Sequence, residues 1–469
     1  MKVILTLVFL VLAGCAVTPP ESRMGAVRDQ APGRWAASPQ ARAGIDTNWV
    51  ERIGGKRVSA MVHEALTANP DMRIAAERVN RAVASAKTAG AAIRPQVSAG
   101  LDGGRSKQIF VGFPFGDGGV PSSISENFGA NLTVAWEPDV WGFRRAGQEA
   151  LIAGAQAEGN AYRASRASLA AQVLRAWLAL AEANEQVTLA RNSDLLLKST
   201  LEIVRDRFEN ALTDEGGSVS QVRLAESELA SNEALIVQYQ GSREQAIRQL
   251  EVLMGRYPKG AIQSADQLPS IPAMPPAGLP SELLLRRPDI LEAERRFAST
   301  GRLLKQGRLA IYPSFPLTAR GGTTTDSLRK IFNSDLGVWS LVGSLSQPIW
   351  PGGALQSEER RLESEDRSSL AMLQKTVLNA FGEVENAVVA DRFLAAREAA
   401  VNKALKVARE ATQSANDEYS GGTGDALTLI TAQSNQIKLA SQVVALRRLR
   451  LDNRVTLHLA LGGDFKTSK

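Results

Sequence analysis

The sequence holds one cysteine and two histidines in 469 residues, and that scarcity removes several kinds of chemistry at once. A single thiol, Cys15, cannot form a disulfide within the chain. His63 and His458 stand far apart, each in a helical pattern, and read as structural imidazoles rather than metal ligands. No Walker loop, no G-x-S-x-G elbow and no metal-spaced Cys/His cluster occurs, so no enzyme, cofactor or metal is expected. Aromatics are scarce too, at 5%, and the helical stretches are rich in alanine. That composition speaks against a large globular core and for long, thin helices. Charge of one sign is nowhere in excess: 55 basic and 49 acidic residues are interspersed, net +6, which leaves no nucleic-acid footprint.

What is present begins at the amino terminus. MKVILTLVFLVLAGC gives a basic Lys2, an apolar run too short to span a bilayer, and Leu12-Ala13-Gly14-Cys15. This resembles a bacterial lipobox, which implies a signal peptide over 1–14 and a lipidated Cys15. Ala16 rather than Asp follows, which resembles sorting to the outer membrane. Residues 15–55 are rich in Pro, Ala, Gly and Arg, with Trp35 and Trp49 as large anchors, and read as an extended strap tethering the body to its lipid.

The body is written twice. GLPSELLLRRPDILEAERRF starts at Gly278; its Arg287-Pro288-Asp289 stops one helix and starts another, which gives way to strand alternation after Tyr312-Pro313. Asn69-Pro70-Asp71, a helix, and Arg94-Pro95 before an alternating run repeat this order about 218 residues earlier, a spacing that implies duplication of a half-chain. The expected halves are 56–255 and 281–462, with a Pro-rich connector at 256–280 and a tail at 463–469.

Each half is expected to carry two strands, at about 96–104 and 127–137, then at about 314–322 and 336–346. Phe128, Ala130, Leu132, Val134 and Trp136 alternate with small or polar residues over about the length a tilted strand needs to cross a bilayer. An ordinary half-buried hairpin would give the same pattern. The fourth strand has two apolar faces, Val338 and Val342 on one and Trp339, Leu341 and Leu345 on the other. Four strands are too few to close a barrel, so their edges must pair with other copies of the chain.

After each hairpin comes a long proline-free helical pattern, about Phe143 to Glu209 and about Ala354 to Tyr419. A continuous helix of the first length would span about 100 Å. Glycine-bearing turns reverse the chain, and return helices run from about Val219 to Met254 and Asp425 to Leu461. Both pairs read as antiparallel coiled coil, and both end alike, in LEVLMG and LHLALG.

Taken together, PAGLPSELLLRRPDILEAERRF, AWEPDVWG (Ala135 to Gly142), LSQPIWPGGAL (Leu345 to Leu355) and YSGGTGDALTLITAQ (Tyr419 to Gln433) resemble the TolC-like outer membrane efflux proteins, in their NodT-type lipoprotein branch. The likeness covers nearly the whole mature chain. Pro138, Phe143 and Trp350-Pro351 depart from the usual pattern, and the first tip is about four residues longer than the second. The resemblance implies a mainly α fold with a membrane β-barrel, in which a homotrimer completes twelve strands in outer membrane lipid above a periplasmic helical tunnel. It also implies a passive duct for small toxic compounds or drugs, fed by an inner-membrane pump of the proton-driven RND type through a periplasmic adaptor. A duct for ABC-driven type I protein secretion has the same fold. From another class, a lipid-anchored coiled-coil spacer without a pore would share the helices but have no use for lipid-facing strands.

Two sites follow. Gly216, Gly217, Gly421, Gly422, Thr423 and Gly424 form tips where an adaptor hairpin can approach closely, or plain turns. Asp206, Glu209, Asp214 and Glu215 crowd one tip, and Asp417, Glu418 and Asp425 the other. Brought into rings by symmetry, such acids would favour cations and hold a gate by pairing with Arg205, Arg207 or Arg409; otherwise they are solvated helix ends, with Asp425 a helix cap.

Overall fold

A computed structural model describes residues 18–28, 31–37, 48–111, 121–210, 217–262, 267–276 and 278–463. Cys15, the expected signal peptide, Asp214, Glu215 and Gly216 lie outside the described residues. The chain forms two compact units, one drawn from residues up to Arg23 with Val79–Ala157 and Ala293–Met372, the other from Met24–Arg78, Glu158–Glu292 and the chain from Leu373 onward.

The first unit holds the sheet. β1 (Gln96–Ile109), β2 (Ser122–Trp136), β3 (Leu317–Thr325) and β4 (Gly337–Gly343) lie in that order, each antiparallel to the next. β1 and β2 run five residues further than expected at the loop end, because their ladder continues through Arg105↔Glu126 to Ile109↔Ser122 after the apolar alternation has stopped. Arg105 and Glu126 form an ion pair of 3.1 Å there. β3 starts three residues later than expected: Pro313 and Pro316 have no N–H to give a ladder. Register settles the fourth strand. Leu341 is opposite Ala319, Ala319 opposite Val134, and Val134 opposite Val97, so Trp339 and Leu341 share the apolar face while Val338 and Val342 join the polar one.

The second unit is helical. α1 (Gly25–Arg28) is a single turn; α2 (Trp49–Ala68) and α3 (Pro70–Ala91) meet at Asn69-Pro70, α3 continuing into the first unit. Helix begins at Trp49, ahead of the expected Lys56, and is broken at Gly55 (φ 75). Trp49, Val50 and Ile53 are buried, and that burial carries the early start. Helices α4 (Phe143–Glu209) and α5 (Val219–Leu253) make one long pair. After α6 (Pro280–Arg286) and α7 (Pro288–Leu309), which from Ala293 belongs to the first unit, α8 (Ala354–Ser420), in the second unit from Leu373, and α9 (Ala426–Ala460) make another, and both pairs have 67 and 35 residues.

Their core in this unit packs Trp49, Val58 and Val62 of α2 against Leu174, Trp177 and Leu178 of α4, Leu250 of α5 and Leu451 and Val455 of α9. Each pair ends in a left-handed glycine. Gly255 (φ 70) lies so close to Ala68 O that a Cβ would come within 2.7 Å, and a Cβ on Gly462 (φ 74) would lie 3.1 Å from Arg287. Arg287 itself is nearly buried and donates to Asp289, to Glu383 at 2.6 Å and to Ala460 O at 3.1 Å, which fastens the Arg-Pro-Asp corner. Among the described residues no helix is long and apolar enough to cross a membrane.

Candidate functional site

Two regions can do something beyond holding the fold: the ends of the helical hairpins and the faces of the sheet. At the second tip, α8 stops at a glycine in the left-handed region, which other residues enter only with strain. Gly422 has φ 81, the N–H groups of Thr423 and Gly424 both donate to Glu418 O at 3.0 Å, and a Cβ on Gly424 would come within 3.0 Å of Tyr419 N. Asp425 then caps α9, its carboxylate accepting from Thr428 N at 3.0 Å and Thr428 Oγ1 at 2.7 Å. The hydrogen bond from the Thr428 hydroxyl holds that carboxyl below its ordinary range. At the first tip, Gly217 precedes a capping box in which Ser218 and Gln221 satisfy each other's backbone N–H.

The sequence lists the tips separately, but the fold joins them. Val204 of α4, Ala225 of α5, Ala415 and Tyr419 of α8, and Ala426, Leu429 and Ile430 of α9 form one small core. Over it Arg207 donates to Tyr419 O and lies 4.2 Å above the Tyr419 ring. Further along the same helices, Gln433 (0% exposed) and Thr200 (3%) exchange hydrogen bonds of 2.8 and 3.2 Å between α9 and α4. Tyr419 is the residue that sequence reading missed. An aromatic next to a glycine turn was the available signal, and its ring is buried while its hydroxyl has no partner among the described residues. Burial pushes that hydroxyl's pKa up.

Among the described residues the tip acids do not pair with Arg205, Arg207 or Arg409. Asp206 accepts from Asn210 at 2.7 Å and Asp417 from Gln413 at 2.8 Å, both on the exposed side of their helices. Arg205 goes to Glu226 at 3.0 Å and Arg207 to the Tyr419 carbonyl, and Arg409 is exposed without an ion pair among the described residues. Asp206, Glu209, Asp417 and Glu418 are exposed, whereas the Asp425 carboxylate is taken up by the cap of α9. No cluster of His, Cys, Asp or Glu able to hold a metal occurs among the described residues.

The sheet has opposed characters on its two faces. Val97, Leu101, Leu132, Trp339 and Leu341 are all more than half exposed on one, a contiguous apolar surface of the kind that water does not tolerate. The other face carries Asp102, which accepts from Asn131 at 2.5 Å and from Arg320 at 3.3 Å, with Thr324 donating to Asn127 at 2.9 Å. Among the described residues, β1 and β4 have no strand on their outer edges. Also in the first unit, the strap residue Arg23 grips Asp366 and covers the Phe297 ring at 3.4 Å, while Glu294, buried, accepts from Ser22.

A sequence model of the family described as outer membrane efflux protein matches residues 61–256 and 279–463. The cation efflux system protein CusC of Escherichia coli O6:H1 is 26% identical over 470 residues, covering 98% of each chain. The pyoverdine export outer membrane protein OpmQ of Pseudomonas aeruginosa is 27% identical over 467 residues, covering 98% of this chain and 96% of its own. Among solved structures, the outer-membrane channel OprN superposes with a TM-score of 0.87 at 24% identity, over 96% of this chain and 99% of that one.

Proposed function

The chain belongs to the outer membrane efflux protein family, and from that premise we propose that it is the outer membrane duct of a tripartite export system, a homotrimer passively conducting small toxic compounds. The observation that carries the reading is the sheet: an exposed apolar face, a polar opposite face and two unpaired edges fit a barrel wall between lipid and water, completed only by further copies. A pore-free spacer would have no reason for such strands. The relatives are named for cation efflux and for pyoverdine export, and we assign selection among substrates to the pump rather than to this wall.

In the second unit, the tips at Gly217 and Gly421 to Gly424 dock the periplasmic adaptor, which passes substrate from a proton-driven pump. The small residues leave the turn open to close approach; a Cβ on Gly422 would meet nothing within 4 Å among the described residues. Cys15 carries the lipid, with the strap fastened by Arg23 and Trp35. The experiment is capture: a photocrosslinker at an introduced cysteine, Gly422→Cys, in cells. An adaptor together with a proton-driven pump is the expected catch; an adaptor with an ABC transporter would move the reading to protein secretion, and intact trimers that capture no periplasmic partner would remove the tip assignment. Globomycin should arrest the precursor at its full mass, and an unchanged mature mass would remove the lipid.

A further inference from the structure

The sheet carries, inside one chain, a template for how two chains meet. Its two hairpins differ in length but are closed by corresponding contacts. Trp136, at the end of β2, donates to Ile93 O at 3.0 Å just before β1, and Gln347, beyond β4, donates to Ile311 O at 2.8 Å just before β3. Gly142 (φ 83) and Gly353 (φ 82) are the last residues before α4 and α8. Laid on each other by these contacts, the pair Ala99↔Leu132 of the first hairpin falls on Leu317↔Gly343 of the second.

The β2–β3 seam between the hairpins can then be carried to the two free edges. Val134↔Ala319 becomes Leu345 opposite Leu101, Asn131↔Gly322 becomes Val342 opposite Gly104, Gly129↔Thr324 becomes Ser340 opposite Ser106, and Thr133↔Arg320 becomes Ser344 opposite Asp102. The transferred pairs fit: leucine meets leucine on the apolar face, and serines meet serine and aspartate on the polar one. A slip of one residue would exchange the faces, and a slip of two would set Val342 against Asp102.

Gly104 supplies an independent mark. It sits in the interior of β1, where glycine weakens a strand, and a Cβ there would meet nothing within 4 Å among the described residues. Its counterpart Gly322 has an evident cause, since a Cβ on it would lie 2.1 Å from Ala130 O across the β2–β3 seam. Gly104 has the same cause only if another strand lies against it. β1 is exposed along all fourteen residues, and an unpaired edge of that length is an aggregation hazard unless covered.

We propose that the β4 end of each chain zips onto β1 of a second copy in this register, with Leu345 opposite Leu101 and the backbone of β4 closing over Gly104. The inference rests on reading the chain as one subunit of a closed barrel, and adds which residues meet.

Disulfide trapping tests it in the full-length protein in its own membrane. Leu345→Cys is combined in turn with Ala99→Cys, Leu101→Cys and Gly103→Cys, with single variants as controls. Because a disulfide needs Cα atoms within about 4.4–6.8 Å, the Leu101 pair should give roughly fivefold more linked multimer than either neighbour. A maximum at Ala99 or Gly103, or no link in oligomers that remain intact, would overturn the register and leave the duct standing. Absence of any oligomer from the single variants would overturn both. In parallel, Gly104→Val should cut oligomer yield about tenfold while far-ultraviolet circular dichroism keeps the helices, whereas Ser106→Val on the same face keeps the oligomer. Wild-type assembly of Gly104→Val would contradict the seam.

Discussion

At the hairpin ends a few side chains decide whether the two tips move together. Arg207 joins α4 to the last turn of α8 through a carbonyl and a ring, contacts together worth about 1–2 kcal/mol. Arg207→Ala should therefore loosen the tips and raise the open time of single channels in planar bilayers; an unchanged open time would mean that the contact links nothing that moves. Gly424→Ala and Gly422→Ala should both disturb the turn relative to the wild type, the first by driving a Cβ to within 3.0 Å of Tyr419 N and Glu418, the second by placing a side chain at φ 81. Crosslinking yield to the adaptor reads the difference. Higher up, Arg448 lies between Glu182 at 3.3 Å and Asp452 at 3.1 Å. Burial raises the pKa of both carboxyls, against the pull of Arg448, with Glu185 near the first and Arg175 near the second. A raised folded pKa means that the folded state holds the proton longer, so this contribution is full below the unfolded carboxyl pKa and declines as pH rises through the folded values. Thermal melts should show the wild type gaining on Glu182→Gln as pH falls from neutral toward the carboxyl range; a gap that is constant with pH would refute the assignment.

Among the elements, the helices were the most legible. Proline-free runs with three-and-four apolar spacing end where Gly421 and Gly422 say they should, and the Arg-Pro-Asp corner is where its proline puts it. Strand ends were less legible, since β1 continues through Arg105, Ser106 and Lys107 on backbone pairing that leaves no apolar trace. The apolar face of β4 was undecidable from its own residues, because Val338 and Val342 alternate with Trp339 and Leu341, and only register with β3 chooses. The choice has a cost attached: Leu341→Arg should lower barrel assembly by up to about 2–4 kcal/mol if it faces lipid at mid-depth, and Val342→Arg on the lumen side by much less. Comparable loss from both in a heat-stability assay of the assembled oligomer would contradict the assignment. The tip contact between Arg207 and Tyr419 was hidden for a simpler reason: the two residues are 212 apart in sequence, and periodicity says nothing about which helix ends meet.

For the whole molecule, the sequence carried the class through what it lacks as much as what it has. With no catalytic cluster and few aromatics, what remained was a set of long thin helices and short alternating strands that no single chain can close. The unpaired acids Asp206 and Asp417 bear on conduction at this scale. If copies arrange them around a lumen, neutralising Asp417 to Asn should lower cation over anion permeability, and unchanged reversal potentials under a salt gradient would remove them from the path. The claim on which all of this depends is that the assembled chain is a duct. Planar bilayer recording on the purified oligomer tests it most directly: steady ion conductance that appears with the oligomer and is absent from the monomer is predicted, and an intact oligomer that inserts without conducting under any voltage, or after Arg207→Ala, would contradict it.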